Sequence, residues 1–391
     1  MPLGLYISVP FCRTKCSFCN FASDVFSRAV FDQYVDRVCN DMRNAPALAA
    51  EMGAHPERAV DTIYFGGGTP TVLHSTQLER LFVSIRQNFD VRPETEFTLE
   101  CAPGTLTPEI LQVFQNCGVN RVSLGVQSFV DLESASVGRL HKRSTVLDDL
   151  VRLRAAGIEN ISIDLIAGLP HQTRDSWKFS LEETIASGVP HVSVYMLEVD
   201  DDSRLGRELI AGGTKYHAHF VPDEDLTAEF YEVACEGLGE MGITQYEISN
   251  FARKGFESCH NLKYWMRQPY LGFGMDAHSM LRLDSQQAVR FSTPDSLEKF
   301  TAGENGSTSL ISREKALEES LFLGLRLMHG VNLQSLENEF KSLDRFPEAI
   351  EESIQDELLE RKGDVIRLTK RGKMLSNEVF ERFISTPLPG I

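Results

Sequence analysis

Tyr6 to Phe21 reads Y-I-S-V-P-F-C-R-T-K-C-S-F-C-N-F, and the reading of this stretch decides the fold. A strand-like run, Leu5 to Val9, leads into it, and Pro10 ends the run. Cys12, Cys16 and Cys19 then fall within one short loop. Thiolates this close converge on one soft metal centre, because sulfur selects zinc, copper(I) or iron–sulfur. A four-iron cluster usually takes four cysteine ligands. The loop supplies three, which would leave one iron open to a small molecule. Two other readings stand beside this one. A structural zinc would need a fourth ligand, such as Cys39 or a distant histidine, and zinc cysteines usually come as paired C-x-x-C. Free thiols buried as small hydrophobes are the second. A disulfide framework does not suit a chain with 8 cysteines in 391 residues.

Hydrophobic residues make up 42% of the chain and charged residues 24%, the balance of a globular protein with room for two or three domains. The formal charge of −17 argues against broad nucleic-acid binding, which rests on neutralising phosphates. No basic stretch with an apolar core opens the chain, and no run of about 18 apolar residues follows, so neither a signal peptide nor a membrane span is expected. A cytoplasmic, reducing location is the expectation.

Working outward from the cysteine loop, strand-like and helix-like runs alternate from Leu5 to about Leu197. Helical spacing marks 31–42, 78–85 (with Ser75 as its cap), a segment opened by Thr107-Pro108, 148–156 and 176–187. Strand patterns mark 59–65, 94–101, 119–126, 158–167 and 192–197. Six β-α units imply a parallel sheet with crossover helices. Six are fewer than the eight of a closed barrel, so an open, partial barrel of α/β class is predicted. In such sheets ligands sit at the carboxyl ends of the strands. The cysteine loop, Gly66-Gly67-Gly68, Glu100, Gln127 and Asp164 all fall at or just after strand ends, and so should share one face.

Asp200 to Asp225 is polar and reads as a linker over the barrel mouth. A helix is expected over 226–241, and 255–279 is rich in glycine and aromatics without a clear period. An amphipathic helix over 311–328 opens a run of helix (333–340), helix (346–360), strand (365–368) and helix (373–383), an order that resembles a winged-helix module. The expected division is 1–215, 216–310 and 311–391. Arg361, Lys362, Arg367, Lys370, Arg371 and Lys373 cluster in the last part, but a solvated face or a lid fits the acidic chain better than a DNA contact.

The triple glycine is no phosphate loop, since it lacks the G-x-x-x-x-G-K-[ST] spacing. Its glycines instead let backbone approach a ligand closely. Glu100 and Asp164 sit in apolar surroundings, where a carboxylate is costly unless paired or bound to a ligand.

The spacing C-x-x-x-C-x-x-C resembles the signature of the radical S-adenosylmethionine (SAM) enzymes. In that family the open iron holds the amino and carboxylate groups of SAM, and an electron from the cluster splits the sulfonium bond. Y-I-S-V-P-F-C, G-G-G-T-P, S-L-G-V-Q-S-F, G-R-L-H and D-L-I-A-G-L-P-H-Q-T narrow the resemblance. They are similar to the oxygen-independent coproporphyrinogen III dehydrogenases and their relatives, the HemW-type haem chaperones, over nearly the whole chain. The resemblance implies that Cys12, Cys16 and Cys19 bind the cluster. It implies SAM contacts for Tyr6, Phe18, Gly67, Gly68, Thr69, Glu100, Gln127, Arg139 and Asp164. Asp164 would suit ribose hydroxyls, Glu100 the ribose or the methionine part, and Arg139 the carboxylate.

Two departures separate the branches. The dehydrogenases continue their motif with a further cysteine, where this chain has Asn20 and Phe21 after Cys19. They also carry a long extension bearing on the porphyrin, where few residues precede Tyr6 here. His260-Asn261-Leu262-Lys263-Tyr264-Trp265 reads H-N-x-x-Y-W, similar to the haem-associated motif of the chaperones. Imidazole is a common axial ligand of haem iron, so His260 is the expected ligand, Cys259 a lesser candidate, and His278 is read as structural. The expectation is a haem chaperone of the radical SAM fold that lacks the dehydrogenase activity, with the radical decarboxylation of coproporphyrinogen III as the alternative. Its expected partners are haem, acceptor haemoproteins such as respiratory enzymes, and an electron donor, with membrane contact only through acceptors.

Overall fold

Leu3–Val9 forms β1, buried along nearly its whole length. Burial on both faces is what a parallel strand covered by crossover helices requires. A computed structural model of the chain describes residues 1–283 and 286–384. In it β2 (Ala59–Gly67), β3 (Asp90–Cys101), β4 (Arg121–Gln127), β5 (Asn160–Ala167) and β6 (His191–Met196) follow β1 in sheet order. Each neighbouring pair is parallel. Helices Phe31–Glu51, Ser75–Asn88, Pro108–Cys117, Arg143–Ala155 and Arg174–Ala186 lie between successive strands. Their apolar stripes, such as Tyr34, Val35, Val38 and Met42, enter the main core.

Local chemistry sets the helix ends. Thr107 Oγ1 accepts from Ile110 N at 3.3 Å, Pro108 fills the first turn, and Gly118 closes the helix at φ 72°. One expected cap is displaced by a residue: His74, not Ser75, caps the helix Ser75–Asn88.

The sheet is longer than the six predicted units. β7 (Thr244–Glu247), β8 (Asn250–Ala252), β9 (Tyr270–Phe273), β10 (His278–Arg282), β11 (Ala288–Ser292) and β12 (Thr308–Ile311) extend both edges. The order is β12-β11-β10-β9-β1-β2-β3-β4-β5-β6-β8-β7, an open sheet. β9 runs parallel to β1 and the other added pairs are antiparallel. These strands, of three to five residues, are too short for a period to show. The stretch 200–225 is likewise more than a linker. It holds the helix Arg204–Ala211, capped by Ser203 Oγ, which accepts from Gly206 N at 2.9 Å.

A second core gathers Leu317, Leu321 and Leu325 from the helix Arg313–Leu325 with Phe340, Ile366 and Phe383. It covers a small sheet of β13 (Val331–Asn332), β14 (Leu359–Lys362) and β15 (Val365–Leu368), in the order β13-β15-β14. The expected helix 346–360 stops at Gln355, because Glu357 turns left-handed at φ 61° and the chain enters β14. Two short helices, Lys370–Met374 and Ser376–Glu381, replace the single one expected at 373–383. Several of the basic side chains in this part face partners within the chain. Lys370 meets Glu232 and Glu236, each at 3.3 Å, and Lys373 Nζ donates to Gln245 Oε1 at 2.7 Å. No described helix is long and apolar enough to cross a membrane.

The tightest backbone approach falls at the first glycine turn. A Cβ on Gly68 would meet Val9 O at 2.8 Å and both Phe11 O and Pro10 C at 2.9 Å. Gly68→Ala should therefore lower stability by about 1–3 kcal/mol in urea denaturation, as overpacking does. Gly237, inside the helix Glu224–Glu240, has open space around it. Gly237→Ala should shift the midpoint the other way, by up to about 1 kcal/mol.

Candidate functional site

Pro10 ends β1, and the loop that follows is closed at its neck. Asp24 N donates to Pro10 O and Cys12 N to Asp24 O, both at 3.0 Å. Further along, Ser17 N donates to Val137 O at 3.1 Å, Thr14 Oγ1 to Gly138 O at 3.0 Å and Leu205 N to Ser17 O at 2.9 Å. The helix Arg204–Ala211, unseen in the sequence pattern, thus clamps the cysteine loop against the turn at 137–139. Phe18 joins that contact in a small apolar cluster with Val137, Ile166 and Leu169.

Because β1 and β2 are paired with Val9 opposite Gly67, the glycine turn arrives beside this loop. Gly68 N donates to Val9 O at 2.9 Å and Thr69 N to Phe11 O at 2.8 Å. Thr69 Oγ1 stands 4.0 Å from Cys12 Sγ. Gly67 has φ 97°, and a Cβ there would lie 2.9 Å from Ser8 Oγ and 3.5 Å from Tyr6 Oη. Burial pushes the thiols of Cys12 and Cys16 up, and Cys19 raises both further. The sulfurs therefore share one electrostatic neighbourhood. Among the described residues no three of His, Cys, Asp and Glu converge as they would on a single ion. Three thiols in one loop at the strand ends fit, as a donor set, a four-iron cluster held by cysteines.

The lumen behind the loop carries charge. Tyr64 Oη donates to Glu100 Oε1 at 2.7 Å, and burial raises the Glu100 carboxyl to about 7, with Asp164 adding to the rise. Asp164 accepts from Ser123 Oγ at 2.9 and 3.0 Å and from Ser162 Oγ at 3.3 Å, and burial raises it as well. Neither carboxylate makes an ion pair within 4.0 Å among the described residues. Arg121, buried at the start of β4, is the lumen cation that pattern reading missed; an arginine at a strand's amino end gives no motif.

Gln127 sits at a register shift in β4 with φ 68°, a left-handed conformation that costs energy for a residue with a side chain. Such strain is typical of sites where a ligand is met. Gln127 Nε2 and Arg139 Nη2 both lie over Gly125, at 3.1 and 2.8 Å from where its Cβ would be. Arg139 Nε is buried and has no partner. A buried guanidinium N–H with nothing to bind, above a residue with no side chain, fits an incoming carboxylate. The cysteines, Arg139 and the unpaired lumen carboxylates therefore match, as a donor set, a cluster with a zwitterionic sulfonium ligand.

His260 belongs to the helix Cys259–Trp265, whose first amides donate to Glu96 at 2.9 and 3.0 Å. Its ring is fully buried and stacks on Tyr64 at 5.3 Å. Nδ1 meets Thr62 Oγ1 at 2.9 Å and Nε2 meets Tyr264 Oη at 2.8 Å. Burial holds the imidazole neutral, with its pKa lowered to about 3. Both ring nitrogens are engaged in hydrogen bonds, which tie His260 to Thr62 and Tyr264. Cys259 is raised to about 11 by burial and by Glu96 beside it. Tyr264 faces a cavity of about 300 Å³ at the same rim as the cysteine loop and the glycine turn, with Tyr6, Ser8 and Gly67 on one side.

Residues 6–183 match the model of the radical SAM superfamily, and residues 311–375 match that of the HemN C-terminal domain. The chain is 34% identical over 389 residues to the heme chaperone HemW of Lactococcus lactis, covering 98% of this chain and 97% of that one. It is 35% identical over 387 residues to the heme chaperone HemW of Bacillus subtilis, covering 97% and 98%. A mouse mitochondrial protein, radical S-adenosyl methionine domain-containing protein 1, is 30% identical over 85% of this chain and 74% of its own. Among solved structures, the coproporphyrinogen III oxidase HemN of Escherichia coli matches with a TM-score of 0.82 over 98% of this chain and 90% of that one. Its 23% identity makes this a likeness of fold.

The lumen yields a pH prediction. Glu100 is held at about 7 against an ordinary 4.5, so the folded chain keeps a proton that the unfolded chain loses in that window. Its contribution to stability is whole below about pH 4.5 and is lost as pH rises through about 7, on the order of 3 kcal/mol in all. Glu100→Gln should flatten that part of the stability–pH curve in urea melts from pH 4.5 to 8. An unchanged slope would show that Glu100 is not desolvated.

Proposed function

The chain belongs to the HemW haem chaperones of the radical SAM superfamily, and we propose that it takes up haem at the rim of its open sheet and passes it to acceptor haemoproteins. Membership of the superfamily implies a [4Fe-4S] cluster and SAM, which when bound supply one-electron chemistry at a sulfonium bond.

We assign the cluster to Cys12, Cys16 and Cys19. The clamp of Val137, Gly138 and Leu205 on their loop keeps the thiols gathered. We assign the amino end of SAM to Gly67, Gly68 and Thr69, and its carboxylate to Arg139 with Gln127 beside it. Glu100 and Asp164 would take hydroxyl donors from the nucleoside part, Tyr6 would lie against it, and Phe18 would exclude water from the loop side. These assignments follow the resemblance to radical SAM proteins, and the donor types and distances given above for Arg139, Gln127, Glu100 and Asp164 support them.

The observation that carries the chaperone reading is the near full-length identity to the heme chaperones of Lactococcus lactis and Bacillus subtilis. Asn20 and Phe21 after Cys19, where the dehydrogenases carry a further cysteine, support it. On this reading the chain works in the cytoplasm. It draws electrons from an external donor, hands haem to respiratory enzymes among others, and meets the membrane only through those acceptors. HemN-like decarboxylation of a porphyrinogen would instead need the substrate's propionate at the lumen.

A paired assay on the anaerobically reconstituted chain tests this. Ferric haem should be taken up in stoichiometric amount, while coproporphyrinogen III with SAM and a reductant should yield no protoporphyrinogen. Protoporphyrinogen formed over many turnovers would overturn the chaperone reading. In the same preparation Cys16→Ala should lose most of its iron, and full iron retention would remove the cysteine assignment.

A further inference from the structure

We propose that the outer side of the cysteine loop, with the turn and helix that clamp it, is the docking face for a small electron-carrier protein of acidic surface. This deepens the reading of an external donor and rests on the assignment of the cluster to Cys12, Cys16 and Cys19. The face is built on Arg13 to Ser17, a different part of the loop from Phe21, Ala22 and Ser23, which line the cavity.

The chain carries a formal charge of −17, yet cations collect here. Arg13 Nη1 donates to Gly104 O at 3.2 Å, Lys15 Nζ to Phe21 O at 3.3 Å and Arg204 Nη1 to Lys15 O at 3.2 Å. These partners are neutral carbonyls, so the three charges stay uncompensated. Lys142 and Arg207 are exposed, and among the described residues none of the five makes an ion pair within 4.0 Å. Elsewhere on the surface cations are paired, as Arg143 is with Glu183 and Arg174 with Glu229. The five belong together because Thr14 Oγ1 donates to Gly138 O at 3.0 Å and Leu205 N to Ser17 O at 2.9 Å, which draws the turn and the helix Arg204–Ala211 onto the loop. Arg207 stands one turn beyond Arg204 on the same side of that helix. Acids border the face: Asp131 accepts from Arg143 N at 2.8 Å, and Asp200 accepts from Asp202 N at 2.7 Å just before the helix.

Apolar groups stand among these cations. Leu140 on the turn is 70% exposed and Ile210 on the helix 69%, so each offers apolar area to a partner. A few apolar contacts with a surround of one charge sign give a small, salt-sensitive interface, the kind that electron carriers form in passing. Position decides which partner this is. The face is the outer wall of the loop that holds the three thiols. At Cys16 burial dominates the thiol's environment, and the charges of Arg139 and Arg204 oppose it. Electron transfer weakens steeply with distance, so a reductant has to be brought to this wall. An acidic carrier is steered to it, while the remaining surface of an acidic chain repels it. One electron leaves the carrier's reduced centre and enters the cluster, and no bond forms or breaks.

The test uses the full reconstituted chain and a flavodoxin, a small acidic flavoprotein, as probe. Bleaching of the cluster absorption by reduced flavodoxin is followed in a stopped-flow mixer at low and high salt, and binding of oxidised flavodoxin is measured by calorimetry. In wild type both rate and affinity should fall as salt rises. The triple variant Arg13→Glu, Lys142→Glu, Arg207→Glu should lose about tenfold or more in each at low salt. Its iron content, and its rate of reduction by reduced methyl viologen, should match wild type, which excludes damage to the loop. A second triple variant of equal net charge, Arg361→Glu, Lys362→Glu, Arg371→Glu, should behave like wild type toward flavodoxin. A first triple variant with wild-type rate and affinity would overturn the docking face, as would reduction by flavodoxin that does not respond to salt, and either result leaves the cluster assignment intact. Wild type that neither holds iron nor is bleached by methyl viologen would overturn the cluster assignment, and the docking face with it.

Discussion

Two backbone hydrogen bonds tie the site together: Gly68 N to Val9 O and Thr69 N to Phe11 O, at 2.9 and 2.8 Å. They continue the β1–β2 ladder past the end of both strands, so the cysteine loop and the glycine turn behave as one piece of sheet. The contact is possible only because position 68 has no side chain; three backbone atoms already occupy the place where a Cβ would stand. The relative position of sulfurs and glycine amides is thus set by backbone register. Backbone register is stiffer than any side-chain contact, since shifting it would displace every partner in the β1–β2 ladder at once.

The parallel register has a second consequence. Glu100 on β3 and Asp164 on β5 point into a common lumen, where desolvation opposes their ionisation and hydroxyls, the Gly67 amide and Arg121 soften the cost. A chain that needed stability alone would place apolar residues there. Two buried carboxylates, a left-handed Gln127 and an unpartnered Arg139 Nε lie within one part of the sheet. Each is unfavourable by itself, and a polar ligand that supplied donors and a carboxylate would satisfy them together. Local rules of folding are broken here because the site is built for something other than the chain.

The six parallel strands and their helices were legible in the sequence because the strands are apolar or alternating runs, several of them closed by Gly or Pro, and most helices show an apolar stripe. The cysteine loop and the glycine turn were legible for the same reason: their spacing is local. β7 to β12 were not, because strands such as Asn250–Ala252 are shorter than any periodicity and owe their existence to a neighbour far along the chain. The helix Arg204–Ala211 hid in a polar stretch, although Ser203 is an ordinary cap. Arg121 and Tyr64 gave no motif, since what distinguishes them is the closed lumen around them. The motif H-N-x-x-Y-W was visible too, but spacing cannot reveal that Thr62, from a strand nearly two hundred positions earlier, occupies Nδ1 of His260.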